Sequence, residues 1–190
     1  MSFLLSFCRL IDNINVKIGQ WVSWSLLIAV LICSGNAIFR YAFNISSNAW
    51  LEIQWYLFGL LYLLAASYTL RVNEHVRIDV ISSRFSTRTR VWMDIIGFVV
   101  FFFPFTLIVL YYATPYALLA IETQEMSSNA GGLILWPAKI IIPIGFLMLT
   151  LQGLSELIKR IGYLQGLVDA SEFEKTAAPM EMSAATSNTK

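Results

Sequence analysis

The sequence predicts an all-α, polytopic membrane protein with four transmembrane helices and with both its N-terminus and its C-terminus in the cytoplasm. Of its 190 residues, 57% are hydrophobic and 13% are charged, and the mean hydropathy is +0.67. Soluble domains carry about 25% charged residues. Four apolar stretches each reach the ~20 residues that a spanning helix needs. The positive charges collect on one side of these stretches, which gives the orientation.

Each span is defined by a run of residues without charge. Residues 18–39, 53–70 and 95–121 contain no Asp, Glu, Lys or Arg, and a fourth apolar run has Lys139 near its start. Lipid cannot satisfy open backbone groups, and the runs are too long for barrel strands, so helices are expected. The predicted spans are at about 18–40, 50–70, 91–116 and 133–154.

The remaining segments complete the domain organisation. Residues 1–17 are expected to be a cytoplasmic N-terminus, and residues 18–165 form the membrane domain. Residues 166–190 are rich in Ser, Thr, Ala and Glu and read as a disordered cytoplasmic tail. The first apolar run lacks a small-residue cleavage site, so we expect it to be retained as a span.

The orientation follows from the distribution of Lys and Arg. Eleven of the thirteen lie on the side shared by the two termini and the second loop, and only Arg40 and Lys139 lie on the other side. Positive charge favours the cytoplasmic side of short loops. Both termini are therefore expected in the cytoplasm.

Several classes of function are disfavoured by the composition. No ionisable residue lies near the middle of a span, where one costs about 2.5 to 3.5 kcal/mol and marks function. The single histidine, His75, lies in a loop, which leaves no ligands for a haem in the membrane and no catalytic or metal constellation. Two cysteines give no disulfide framework or metal spacing. We therefore expect no enzyme activity, no cofactor, no metal and no nucleic-acid partner.

The candidate contact residues lie near the outer ends of the spans. Glu52 follows Ser47 and Asn48 in a first helical turn, where an acid favours the helix dipole; contact with a partner subunit is the alternative. Lys139 opposes the dipole of its own helix, and it either snorkels to the headgroups or forms a salt bridge or partner contact. The candidates for partner or docking contacts are Trp50, Glu52, Glu122, Glu125 and Lys139.

A basic segment follows the second span. It either anchors to anionic lipid, at ~1 kcal/mol for each cation, or forms an amphipathic helix at the interface or on a protein. The alternation of apolar and polar residues from His75 to Val80 suits an extended strand equally well. The candidate residues of this cytoplasmic interface are Arg71, His75, Arg77, Asp79, Arg84, Arg88 and Arg90.

Several short sequence motifs are similar to those of one protein family. They occur in the same order and at the same places relative to the four spans, over about residues 20–160. They are SNAWLEIQWYLF from Ser47, AASYTLR from Ala65, HVRID from His75, STRTR from Ser86, GGLILWPAK from Gly131, IPIG from Ile142 and LQGLSE from Leu151. The chain resembles the small membrane subunit of TRAP (tripartite ATP-independent periplasmic) transporters, the DctQ-like family. Many members carry paired acids after the tryptophan, whereas Ile53 follows Glu52 here, which we interpret as a branch difference.

The resemblance implies a role and partners. The chain would sit in a bacterial inner membrane beside a large permease subunit, which holds the substrate and sodium sites. A periplasmic solute-binding protein would deliver an organic acid or a related solute. The small subunit would be static scaffold and would help to dock the binding protein. The substrate, the coupling ion and the helix faces that contact the large subunit are not encoded recognisably in this chain.

Two alternatives come from other classes. A self-sufficient small four-span transporter is expected to carry an acid within its first span, and this chain has none there. A membrane anchor for another inner-membrane complex, such as a redox enzyme, is expected to carry histidines inside its spans.

Overall fold

A computed structural model describes residues 2–44, 47–72 and 85–168. The prediction of an all-α fold is confirmed, since four helices in these ranges are long and apolar enough to cross a membrane. The first span is α1 and the second is α2; the third consists of α3, a π-helical turn and α4, and the fourth is α5. Their bounds are Ser2–Phe43 (α1), Asn48–Val72 (α2), Thr87–Gly97 (α3), Phe98–Phe102 (the π-helical turn), Phe103–Glu122 (α4) and Trp136–Leu164 (α5).

The first helix is much longer than the span predicted from hydropathy. It has 42 residues, which is about 63 Å at 1.5 Å per residue. Residues 2–17, expected as a separate cytoplasmic segment, continue the same helix. Four buried side chains follow each other every seven residues along one face of α1: Cys8, Asn15, Val22 and Ala29. This spacing keeps one face of α1 in continuous contact with the bundle.

The third span contains a π-helical turn immediately before Pro104. The N–H of Phe103 bonds to the carbonyl of Phe98, which is five residues earlier. Proline has no N–H, and its ring clashes with the preceding helical turn, so a wider turn accommodates it. Pro115 also lies inside α4, and Pro143 lies inside α5.

The fourth span is the centre of the bundle. Helix α5 packs against α1, α2 and α4, and α1 packs extensively on α2. Two glycines permit close approach: a Cβ at Gly19 would lie 2.8 Å from the Cβ of Tyr68, and a Cβ at Gly145 would lie 2.8 Å from that of Leu63. Small residues at such positions are the usual way in which membrane helices approach each other.

Candidate functional site

Two polar clusters lie at opposite ends of the helix bundle. We call them the loop cluster, around Glu52 at the start of α2, and the ion cluster, around Asp12 near the start of α1. Arg71 of the ion cluster lies 19 positions after Glu52 on α2, about 28 Å along a helix. This separation matches the ~30 Å hydrocarbon thickness of a bilayer.

The loop cluster is built on the connection between α4 and α5, residues 123–135. The N–H of Ser127 donates to the carbonyl of Leu133 at 2.9 Å, and the N–H of Leu135 donates to the carbonyl of Glu125 at 2.8 Å. These bonds fold the connection into a hairpin with an antiparallel bridge between Met126 and Ile134. The tip contains Gly131, whose φ of +70° suits glycine.

Glu52 holds this hairpin from below. Its side chain is buried, with 2% of its surface exposed. One carboxylate oxygen accepts from the backbone N–H of Leu133 at 2.6 Å. The other oxygen accepts from Asn129 Nδ2 at 2.9 Å and from the Ser127 hydroxyl. The acid is thus fully engaged within the protein, and several charge-assisted bonds fix the hairpin on the end of α2.

The approach of the hairpin to Glu52 requires a glycine. A Cβ at Gly132 would lie 2.8 Å from Glu52 Oε1 and 2.6 Å from the Cβ of Ser127. Two further bonds tie the hairpin to α2, from Tyr56 Oη to the carbonyl of Ile134 at 2.8 Å and from Asn48 Nδ2 to the carbonyl of Ala130 at 2.9 Å.

Lys139 fixes the other side of the hairpin. Its ammonium donates to the carboxylate of Glu125 and forms an ion pair with it. The same ammonium lies 4.1 Å from the ring centroid of Tyr116, a cation–π geometry. Of the alternatives for Lys139, the structure shows a salt bridge within the chain, which joins α5 to the hairpin, and the contact with Tyr116 adds α4.

The predicted contact residues differ in their exposure. Trp50 is 46% exposed, and the side chain of Glu122 is also exposed. Glu52 is buried, whereas Glu125 and Lys139 are half-buried and paired with each other. Of the predicted contact residues, Trp50 and Glu122 are therefore exposed to a partner, whereas Glu52 is buried beneath the hairpin.

The residues of the predicted basic interface are only partly described. Arg71 lies at the end of α2, with its Nε 3.8 Å from Asp12 Oδ2. Arg90 Nε donates to the carbonyl of Phe85 at 3.1 Å, and Arg88 is exposed. Four of the predicted residues, His75, Arg77, Asp79 and Arg84, lie outside the described residues.

The ion cluster is centred on Asp12, which the sequence reasoning did not single out. Its Oδ2 accepts from Lys159 Nζ at 2.6 Å. Its Oδ1 accepts from Gln152 Nε2 at 2.9 Å and from Ser155 Oγ at 3.2 Å. The Oε1 of Gln152 accepts in turn from Asn15 Nδ2 at 2.6 Å. Helix α1 is therefore fastened to α5 by a buried network.

The same network extends to the third span. Glu156 lies 3.0 Å from Lys159 Nζ and 2.6 Å from an Nη of Arg160. Arg160 Nε reaches Asp94 Oδ2 on α3 at 3.0 Å, and its guanidinium lies 5.1 Å from the ring centroid of Phe98. With Arg71 from α2, the cluster joins all four spans. Its three acids and three bases balance in charge.

A buried, fully partnered network of this kind specifies one arrangement of helices more than it adds stability, because desolvation offsets the ion-pair energy. Two patterns in the sequence could have indicated polar faces on these helices: Asp12 and Asn15 share a face of α1 at i and i+3, and α5 carries Gln152, Ser155, Glu156 and Lys159 on one face. Within the described residues, no group of three or more His, Cys, Asp or Glu side chains is arranged to hold a metal ion.

Residues 28–162 match the family described as Tripartite ATP-independent periplasmic transporters, DctQ component. The matched range covers most of the chain and reaches into all four spans. The chain belongs to the DctQ family. Membership of this family makes the protein a multi-pass membrane component of a transporter and not an enzyme. No curated protein sequence matches it.

Proposed function

We propose that this DctQ-family chain is the small, static permease subunit of a TRAP-type secondary transporter in a bacterial inner membrane, with both termini in the cytoplasm. A large permease subunit would hold the substrate and sodium sites. A periplasmic binding protein would deliver an organic acid or a related solute for import.

The position of the charges carries this proposal. Every described Asp, Glu, Lys and Arg lies toward one end of the bundle or the other, and those buried in the two clusters are paired or hydrogen-bonded. Transport of a polar solute through the membrane uses polar groups near the midplane. The described part of this chain presents no charged group at that depth, so a second membrane subunit would supply the path.

The hairpin 123–135 is our candidate for the surface that docks the binding protein. Its tip is exposed at residues 128–131, beside Met126, which is 60% exposed. A cavity of about 330 Å³ opens between Trp50, Ile53 and Leu133, and it suits an apolar side chain. In this proposal, Glu52 and the Lys139–Glu125 pair act by holding the hairpin in one conformation, which lowers the entropic cost of docking.

The basic segment after α2 would hold the scaffold at the cytoplasmic face. Arg88 and Arg90 lie at the start of α3, at the same end of the bundle as the ion cluster. Cations near the surface attract anionic lipid by about 1 kcal/mol each. The contribution of His75, Arg77, Asp79 and Arg84 to this interface stays a prediction from the sequence.

Co-expression tests the proposed function. The chain would be purified alone and together with the large permease subunit of its transporter, and solute uptake would be measured in proteoliposomes with the binding protein added. We expect stable co-purification, and uptake only when both membrane subunits are present. Uptake of solute by the chain alone, or failure to co-purify with the large permease, would show that the scaffold role is wrong.

A further inference from the structure

Helix α1 carries a continuous exposed stripe on the face opposite to the bundle. The stripe recurs at alternating steps of four and three residues, the spacing of a helix–helix seam. Leu10, Trp21 and Trp24 are 58%, 79% and 64% exposed. Its apolar members are Leu10, Ile14, Trp21, Trp24, Ile28 and Leu31, and Lys17 occupies the remaining position.

This stripe has no partner within the described part of the chain. The opposite face of α1, marked by Cys8, Asn15, Val22 and Ala29, is the one that packs on α2 and α5. Side chains halfway around a helix from a packed face point away from the bundle. Lipid tails can cover an apolar face of a membrane helix. The depth of each stripe residue in the bilayer therefore decides whether lipid or protein covers that residue.

The stripe continues past the hydrocarbon at the N-terminal end of α1. Lys17 directly precedes the uncharged run 18–39 of α1, and Arg71 directly follows the uncharged run of α2. Arg71 lies beside Asp12, so both helices leave their uncharged runs at the end of the bundle that holds the ion cluster. Leu10 lies seven residues before Lys17, or about 10 Å along the helix. The headgroup layer adds only about 5 to 7 Å on each side of the ~30 Å core. With Lys17 at the edge of the hydrocarbon, Leu10 lies beyond the reach of the lipid tails.

We propose that this stripe, from Leu10 to Leu31, is the seam along which a transmembrane helix of the large permease subunit lies. That helix extends past the cytoplasmic face of the membrane and places a carboxylate opposite Lys17. The inference rests on the proposed function for the existence of the large subunit, and it assigns the face that binds it. One helix that runs along α1 covers both the apolar residues in lipid and those beyond it.

A second copy of this chain fits the stripe poorly. Two copies in one membrane have the same orientation, so a seam between two α1 helices is parallel and sets Lys17 against Lys17. Like charges at a packed seam position are destabilising. Lys17 makes no ion pair among the described residues, which leaves its ammonium available to an acid on another subunit.

Site-specific photo-crosslinking tests the seam in the assembled transporter. A photoreactive phenylalanine analogue would replace Leu10 or Trp24 in the full chain, expressed with the large permease in its native membrane. Ile108 on α4, which is 58% exposed, provides the matched control. We expect Leu10 and Trp24 to crosslink to the large permease and Ile108 to do so far less.

A paired substitution gives an independent readout. Leu10→Ser with Ile14→Ser removes two apolar contacts of the seam and is expected to lower co-purification of the large permease by about tenfold or more. Leu167→Ser, at an apolar residue that is 56% exposed after α5, should leave it unchanged. The thermal unfolding of each variant on its own shows whether the chain still folds.

The outcomes separate this inference from the proposed function. Crosslinks from Leu10 and Trp24 to lipid alone, to a second copy of the chain or to any other protein overturn the seam. If the wild-type chain still co-purifies with the large permease in that case, the scaffold role stands and only the seam is wrong. If it does not co-purify, both are wrong.

Discussion

Glu52 shows how one buried acid gives shape to a loop. Its carboxylate accepts bonds from Leu133, Asn129 and Ser127, which lie 75 to 81 positions away in the sequence. From the sequence, the residue was assigned either to the helix dipole or to a partner contact. The contact between the hairpin and the start of α2 is a tertiary contact that the sequence alone does not reveal. Neither interpretation therefore included these hydrogen-bond partners.

Replacement of Glu52 by glutamine is expected to loosen the hairpin 123–135. The neutral amide has one acceptor oxygen instead of two and lacks the charge of the carboxylate. The bonds from Leu133, Asn129 and Ser127 can therefore no longer all form with their present strength. Limited proteolysis in detergent should show cleavage between residues 126 and 131 several-fold faster than in the wild type.

The control for this prediction is Glu122→Gln. Glu122 is an exposed acid at the same end of the bundle, so its substitution removes the same charge without removing bonds to the hairpin. Equal cleavage rates in the two variants would mean that Glu52 does not restrain the hairpin.

The ion cluster could not be predicted from individual residues of the sequence. By hydropathy, Asp12, Glu156 and Lys159 are charged residues outside the spans, and this is sufficient to place four helices. Hydropathy does not indicate that Asp12 and Lys159 form an ion pair, because they are 147 positions apart in the sequence. Their pairing depends on α1 and α5 lying side by side, which is a property of the packed bundle.

At the scale of elements, the type and number of helices were predictable and their lengths were not. Spans of about 20 residues follow from the bilayer thickness. The structure extends the first to Ser2–Phe43 and the third to Thr87–Glu122. The extra turns of α1 are amphipathic and pack against α5 through Cys8 and Asp12, and a hydropathy window does not register such turns.

Helix packing gives a second prediction, at Gly145 on α5. A Cβ there would lie 2.8 Å from the Cβ of Leu63 and 3.0 Å from its carbonyl oxygen. Backbone of α2 cannot rotate away as a flexible side chain does. Gly145→Ala is therefore expected to lower the free energy of unfolding by about 1–3 kcal/mol, measured by thermal or denaturant unfolding in detergent.

Gly59 on α2 is the matched control for Gly145. A Cβ at Gly59 meets nothing within 4 Å, and alanine is intrinsically favoured over glycine in a helix by up to about 1 kcal/mol. Gly59→Ala should therefore be neutral or stabilising. If both alanine variants change stability alike, the close approach of α2 and α5 at Gly145 is wrong.

At the scale of the whole molecule, the two polar clusters stabilise opposite ends of the bundle. The ion cluster joins four spans at one end, and the loop cluster fixes a hairpin at the other. Between them the helices are uncharged over a depth close to that of the hydrocarbon. This arrangement suits a rigid scaffold, because movement of any one span would separate buried charges from their partners.

The orientation of the helix bundle in the membrane gives the last prediction. Eleven of the thirteen Lys and Arg residues lie on the side of the termini and the second loop, so the hairpin is expected in the periplasm. The two native cysteines, Cys8 and Cys33, would be replaced by alanine. Single cysteines would then be introduced at the exposed positions Ser128 in the hairpin and Leu167 after α5.

A membrane-impermeant maleimide applied to intact spheroplasts should label Ser128→Cys at once and Leu167→Cys only after permeabilisation. Ala113→Cys, at a buried position inside the third span, should resist labelling in both conditions and so controls for non-specific labelling. The reverse pattern would place the hairpin in the cytoplasm. It would then be unavailable to a periplasmic binding protein, and the positive charges would have failed to set the topology.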